Sequence, residues 1–239
     1  MYNQLKVEFY KLRKSLFFYL AILGFLTASV LMAVSQISQG REITGQSAFI
    51  NSISDTSLLF LLSLFVSYFI GNDFANRIID NEIRIGYSRL SVILSRVIIA
   101  LPFTALLYLF YSVPYALIMG SVNGFVSYIT VTEFLMRTSL FILQLVSILS
   151  FSALIMFWCK KPALGMMLSV CFTVVTCNVL RNIMNDNAAF SLTPFYRITM
   201  NNINIMTAQD ALISFMSAIV TIVIALLMTY FVFRKAELK

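Results

Sequence analysis

Residues 71–96 read GNDFANRIIDNEIRIGYSRLSVILSR. Asp73, Arg77, Asp80, Glu82, Arg84, Arg89 and Arg96 all fall in this stretch, between two strongly apolar runs. The chain around it has 239 residues, is 60% hydrophobic and only 11% charged, and has a mean hydropathy of +0.89. Soluble domains carry about a quarter charged residues, so the composition describes an integral membrane protein. Working outward, apolar runs near the 20-residue length of a spanning helix lie at 16–34, 56–70, 92–119, 134–158, 163–179 and 211–233. The second is short, which predicts an earlier start near Ala48. The third carries Pro102 and Pro114, which predicts a kink, or an end near Pro114. The runs are continuous and lack the alternation of strands, which argues against a barrel. The fold expected is all-α: a polytopic membrane protein with six transmembrane helices.

Charge sets the orientation. With a cytosolic N-terminus, the inner side holds Lys6, Lys11, Arg13, Lys14, Arg77, Arg84, Arg89, Arg96, Lys160, Lys161, Arg234, Lys235 and Lys239. Arg41, Arg137, Arg181 and Arg197 fall outside. This asymmetry obeys the positive-inside rule, so both termini are expected in the cytosol. The net charge of +7 then reads as a topology signal rather than a nucleic-acid footprint. Ala33-Val34-Ser35 resembles a signal cleavage site, but the apolar run before it is long for a signal, and retention as an anchor is expected. Residues 1–239 are read as a single transmembrane domain, with an interfacial helix at 1–15, a cytosolic segment at 71–91 and an outer loop at 180–208. Cys159, Cys171 and Cys177 read as small buried hydrophobes.

Several chemistries are missing. The chain has no histidine, which removes Ser-His and Cys-His catalysis, HExxH metal sites and histidine proton relays. No G-x-x-x-x-G-K-[ST] occurs, so no nucleotide binds through a P-loop. The spans lack acids near their centres; Glu133, at the outer mouth of the fourth, comes nearest. Ion-coupled carriers place ionisable groups at midplane depth. The energy for any movement is therefore expected from another chain, with no metal and no cofactor held by this one.

Projected on a helix, Asp73, Arg77, Asp80 and Arg84 share one stripe, with Asp73–Arg77 and Asp80–Arg84 as acid-first i,i+4 pairs. Phe74, Ile78 and Ile85 form a second stripe, and Gly86 is a natural C-terminal stop. A short amphipathic helix lying on the cytosolic side is the expectation. Its surface is read as a docking site rather than a merely solvated loop, because surface ion pairs alone contribute little. At the N-terminus Leu5, Phe9, Leu12 and Leu16 alternate with Lys6, Lys11, Arg13 and Lys14, a helix expected along the inner leaflet. Outside, Glu133 and Arg137 pair at i,i+4, with Gln144 deeper on the same face. They either line a polar route for a substrate or satisfy one another. The outer loop, with Arg181, Asp186, Pro194, Tyr196 and Arg197, is a candidate cover for the outer mouth. Trp158, Tyr19 and Tyr230 read as interface anchors.

The opening VEFYKLRKSLFFYLAIL, the segment FIGNDFANRIIDNEIRIGYSRLSVILSR with its Gly-Tyr-Ser-Arg at 86–89, and the basic tail FVFRKAELK together resemble ABC-2 type permeases, the membrane subunits of ATP-binding-cassette exporters. The opening Glu8-Phe9-Tyr10-Lys11-Leu12 is most similar to permeases of bacitracin resistance and lantibiotic self-protection. The resemblance implies a separate cytosolic ATPase dimer, carrying the ATP and Mg, which pushes on a coupling helix. Its contacts are then expected among Asp73, Phe74, Arg77, Ile78, Asp80, Asn81, Glu82, Arg84, Gly86, Tyr87 and Arg89. It further implies a second permease chain, identical or paralogous, in a bacterial plasma membrane. The substrate implied is amphiphilic, an antimicrobial peptide or lipid-like molecule. Two rival classes stay open on the residues alone: a non-transporting membrane sensor or scaffold, and a self-sufficient carrier or channel.

Overall fold

The computed structural model describes residues 2–53, 55–125, 130–183, 188–200 and 208–234, and these form helices joined by short turns. An amphipathic α1 (Tyr2–Lys14) leads into the first long apolar helix, α2 (Leu16–Ser38). A short α3 (Gly45–Ile53) follows, then α4 (Leu59–Ala75), α5 (Ile78–Arg84), α6 (Arg89–Asn123) and α7 (Val131–Cys159). The fifth apolar run is α8 (Pro162–Val174), extended by a π-helical turn at Val175–Leu180. Short helices α9 (Arg181–Ile183), α10 (Ala188–Ser191) and α11 (Pro194–Met200) make up the described part of the outer loop, before α12 (Ala208–Arg234). Asp186 and residues 235–239 lie outside the described residues, as do the side chains of Arg181 and its neighbour 180.

Among the described residues, five helices are long and apolar enough to cross a membrane alone, and a sixth crossing counts if α4 and α5 are taken together. The chain is thus a multi-pass helical membrane protein. Helix α7 is its hub: 78% of its most apolar stretch is buried, against 22% for α2 and 17% for α12. It packs on α12, α8, α4, α6 and α11, while α4 lies against α8 and α6 carries α2 and α3. Between α4 and α8 the Ser67 hydroxyl donates to Ser169 at 2.6 Å, a polar contact at a small-residue crossing of the kind that joins helices in lipid.

Three sequence expectations need correction. The second crossing does not begin near Ala48; that residue belongs to α3, a separate helix packed on α6, and the chain re-enters a helix at Leu59. Tyr108 holds the break by donating to the carbonyls of Ser52 (2.7 Å) and Asp55 (2.6 Å). The third helix does not end at Pro114. It continues to Asn123, with both prolines inside it. Its 35 residues reach about 52 Å at 1.5 Å rise, well beyond the apolar layer.

The third correction concerns 73–84, which is not one helix. Asp73 and Phe74 finish α4, the chain turns at Asn76 and Arg77, and α5 leaves at 58°. Arg77 holds a left-handed backbone, φ 55°, uncommon for a residue with a Cβ. No Gly or Pro announces this break. Gly86 does mark the end of α5, with φ 103°, and its N–H closes on the Ile83 carbonyl at 3.0 Å.

Close approach of α3 to α6 depends on glycine. A Cβ on Gly45 would meet the Gly120 Cα at 2.8 Å and the Ala116 carbonyl oxygen at 2.9 Å, both backbone. Gly24 in α2 has nothing within 4 Å. Gly45→Ala is therefore expected to lower the thermal midpoint of the detergent-purified protein, by an overpacking cost of about 1–3 kcal/mol. Gly24→Ala is expected to be neutral or to stabilise by up to about 1 kcal/mol. Equal tolerance of both substitutions contradicts this packing.

Candidate functional site

The charged stretch is organised around one arginine. Arg96 sits two turns into α6, fully buried, in a run that is otherwise apolar. A guanidinium cannot be stripped of water there without partners, and three helices supply them. Its Nε donates to Asp73 Oδ2 at 3.0 Å, from the end of α4. Its Nη1 donates to Glu82 Oε2 at 2.7 Å, from α5, and to the Val92 carbonyl. Its Nη2 lies 3.4 Å from Glu8 Oε1, from α1. Lys11 bridges the far side, with Nζ 2.8 Å from Glu8 Oε1 and 3.2 Å from Asp73 Oδ1. Three carboxylates and two cations thus tie four helices, α1, α4, α5 and α6, together at one end of the bundle.

This changes the reading of α1. Its buried edge is Gln4, Glu8 and Leu12, spaced i, i+4, i+8 along one face, and this edge docks on α6. The Ser91 hydroxyl donates to Gln4 Oε1, Glu8 meets Arg96, and Phe9 packs on Phe103 at 5.8 Å between ring centres. The expected stripe is split: Leu12 is buried, whereas Phe9 and Leu16 are exposed.

Glu8 is the strained member. Burial, and then the neighbouring Asp73 carboxylate, push its carboxyl pKa above the usual value of 4.5, against the opposing pull of Arg96 and Lys11. Among the described residues its Oε2 has no hydrogen-bond partner, so that oxygen is free to carry the proton.

The residues expected to meet an ATPase, between 73 and 89, divide into inward and outward ones. Asp73 is 3% exposed, and Phe74 packs on Phe157 (5.6 Å) and Phe233 (6.3 Å), so both hold the segment in place rather than present a surface. The expected pairing of Asp73 with Arg77 is replaced by Lys11 and Arg96, because the break at Arg77 ends the helical register the pair required. Glu82 also turns inward, and Ile79 is fully buried. Arg89 fastens the start of α6 to the end of α12, its Nη1 donating to the carbonyls of Phe233 (2.5 Å) and Arg234 (2.7 Å). Ile78 and Asp80 are half-buried. Facing out are Arg77, Asn81, Arg84, Ile85, Gly86 and Tyr87, with Ile85 78% exposed.

At the outer end Glu133 and Arg137 do pair, with Oε1 at 2.7 Å from Nη2 and 3.2 Å from Nε. Arg137 and Gln144 are both buried in α7. An outer cleft of about 340 Å³ lies to one side, lined by Gly45, Gln46, Phe49, Ala116, Phe125, Val131 and Phe134. In the outer loop Arg197 binds Asp210 at 3.1 Å and the Ser191 carbonyl at 2.8 Å, which holds α11 to the start of α12. Sequence reasoning passed over Glu8, Lys11 and Arg96 as site residues. The available signal was an arginine within the apolar run 92–119, which demands nearby acids.

Arg96→Met leaves three carboxylates facing one another, and is expected to cost about 3–5 kcal/mol, the penalty for orphaning a buried charge partner. Lysine at this position recovers only part of that, since it lacks the planar fork. Combining Arg96→Met with Glu8→Gln and Asp73→Asn is expected to restore most of the midpoint. A wild-type thermal midpoint for Arg96→Met alone would show that the cluster does not hold these helices. Glu8 adds a pH dependence. The folded state binds its proton more tightly than the unfolded chain, so Glu8 favours folding most below its usual pKa, and this contribution is lost as pH rises through the raised value. Glu8→Gln is therefore expected to gain stability relative to wild type across that window; parallel pH profiles contradict it.

No curated protein matches the chain, but the profile of the family described as ABC-2 family transporter protein matches residues 4–178, well over half of it. The match takes in α1, the node around Arg96, α5 and the hub helix α7. Members are membrane transporter subunits, not themselves catalytic, that normally work with an ABC ATPase. The chain belongs to the ABC-2 family of transporter proteins.

Proposed function

We propose that the chain is the permease half of an ATP-driven exporter, and that a separate cytosolic ABC ATPase docks on the outward face of α5 and its following turn. The observation that carries this reading is Ile85. An aliphatic side chain 78% exposed at the tip of a polar turn, flanked by Arg77 and Arg84 and followed by Tyr87, has the make-up of an interface centre, where an apolar anchor sits among Arg and Tyr. The opposite face of the same element is fixed into the membrane half through Ile79 and Glu82. Movement of α5 then acts through the Glu82–Arg96 pair on α6, through Asp73 on α4, and through Glu8 on α1.

The rest of the reading follows the family. ATP and Mg belong to the partner, a second permease chain of identical or paralogous sequence completes the pathway, and both termini face the cytosol of a bacterial cell. The substrate is amphiphilic, an antimicrobial peptide or a lipid-like compound. Sparse polarity within the crossings supports a greasy route over a wide aqueous pore. Glu133, Arg137 and Gln144 are the polar groups such a route offers near its outer end.

Arg84→Glu combined with Ile85→Asp is expected to reduce co-purification of the ABC ATPase that accompanies the wild-type chain by about tenfold or more, the size of a hot-spot loss. Insertion and thermal midpoint are expected to stay unchanged, because both side chains are exposed. Undiminished ATPase recovery with this double variant refutes the docking face.

A further inference from the structure

A cleft of about 510 Å³ opens where α1 turns into α2, between that turn and the cytosolic end of α4. Its polar wall carries Lys11, Lys14, Ser15 and Asn72, with the Asp73 carboxylate at the back. Asp73 is compensated by Lys11 and Arg96, whereas Lys14 stands at the exposed rim. The other wall is apolar: Leu16, Phe17, Leu20 and Tyr68. Leu16 and Leu20 are 74% and 57% exposed at the start of a spanning helix, so this wall continues into the surface that meets lipid. A smaller recess lies behind Phe17, among Phe18, Phe65 and Phe69, and Phe17 lies against Tyr68 at 4.1 Å between ring centres.

A basic rim at headgroup depth above an apolar wall is complementary to one kind of molecule. We infer that this cleft is a binding site for an anionic phospholipid of the inner leaflet, its phosphate on Lys14 and Lys11 and an acyl chain along Leu16, Phe17, Leu20 and Tyr68. Lysines beside a membrane draw anionic lipid electrostatically, and an amphipathic helix that enters the membrane beside them keeps the headgroup within reach. The location adds a consequence. Lys11 and Asp73 belong both to the cleft wall and to the ion cluster around Arg96, so a headgroup phosphate competes with Glu8 and Asp73 for Lys11. Lipid in the cleft thereby sets how firmly α1 is held to α4. This inference needs the membrane crossings but not the ATPase contact, so the two stand or fall separately.

The chain has a single tryptophan, Trp158, which permits a clean reporter. Trp158→Phe with Tyr68→Trp, placed in phosphatidylcholine nanodiscs, reads contact with brominated lipid by fluorescence quenching. Brominated phosphatidylglycerol is expected to bind at the reporter about fivefold more tightly than brominated phosphatidylcholine, the contribution of one lysine near a membrane surface. Lys14→Glu is expected to abolish that preference, and circular dichroism of the variant checks that it is folded. Equal quenching by the two lipids means ordinary annular contact and overturns the inference, as does a preference that survives Lys14→Glu. Displacement of the brominated lipid by added inorganic phosphate would show that the site reads the anion alone, and would also overturn it.

Discussion

Burying a guanidinium in a hydrophobic chain is the constraint on which the rest of this structure turns. Arg96 lies in an apolar run with no exposure to solvent, and a lone charge there would cost several kcal/mol. Asp73, Glu82 and Glu8 meet that demand, and each comes from a different helix. The consequence is geometric as much as energetic. Satisfying Arg96 fixes the end of α4, the angle of α5 and the lie of α1 at once, because no single element can supply all three carboxylates.

That arrangement ties a short helix to the rest of the bundle. Helix α5 has only seven residues, too few to be stable as an isolated helix. It owes its place to Ile79 on its buried face and Glu82 on Arg96. The neighbouring Phe74, Phe157 and Phe233 rings and the Arg89 bonds to the end of α12 hold adjoining parts of the same end of the bundle. On the proposed docking role, a push at Ile85 would reach α6, α4, α12 and α1 through these contacts. The cluster holds three acids to two bases, and Glu8 is the acid that burial disfavours.

Much of this was legible in the sequence, and the parts that were not have physical reasons. The apolar runs at 16–34, 92–119, 134–158 and 211–233 were visible because each meets a bilayer's length requirement without help from other segments. The stop at Gly86 was visible because glycine alone adopts that backbone at no steric cost. The break at Arg77 was not, since no local preference places an arginine in the left-handed region; the anchored residues are its neighbours Phe74 and Ile79. Nor was the pairing of Asp73 with Lys11, which joins residues 62 positions apart. Helical projection gave Asp73 to Arg77 because it treats one segment in isolation, whereas a buried cation in a neighbouring helix outbid a surface partner. The separate identity of α3 was hidden for a similar reason: Ala48 and Phe49 are as apolar as a crossing helix, and only their packing on α6 reveals a different layer.

The central claim is that the outward face around Ile85 and the buried cluster around Arg96 form one mechanical unit driven by an ATPase. Hydrogen exchange on the chain reconstituted with its co-purifying ATPase, with and without a non-hydrolysable ATP analogue, tests it most directly. A single unit requires nucleotide to change exchange together in residues 77–87, in α1 and at the Arg89 end of α6. A nucleotide response that leaves all three unchanged, or that appears only at 77–87, would contradict it.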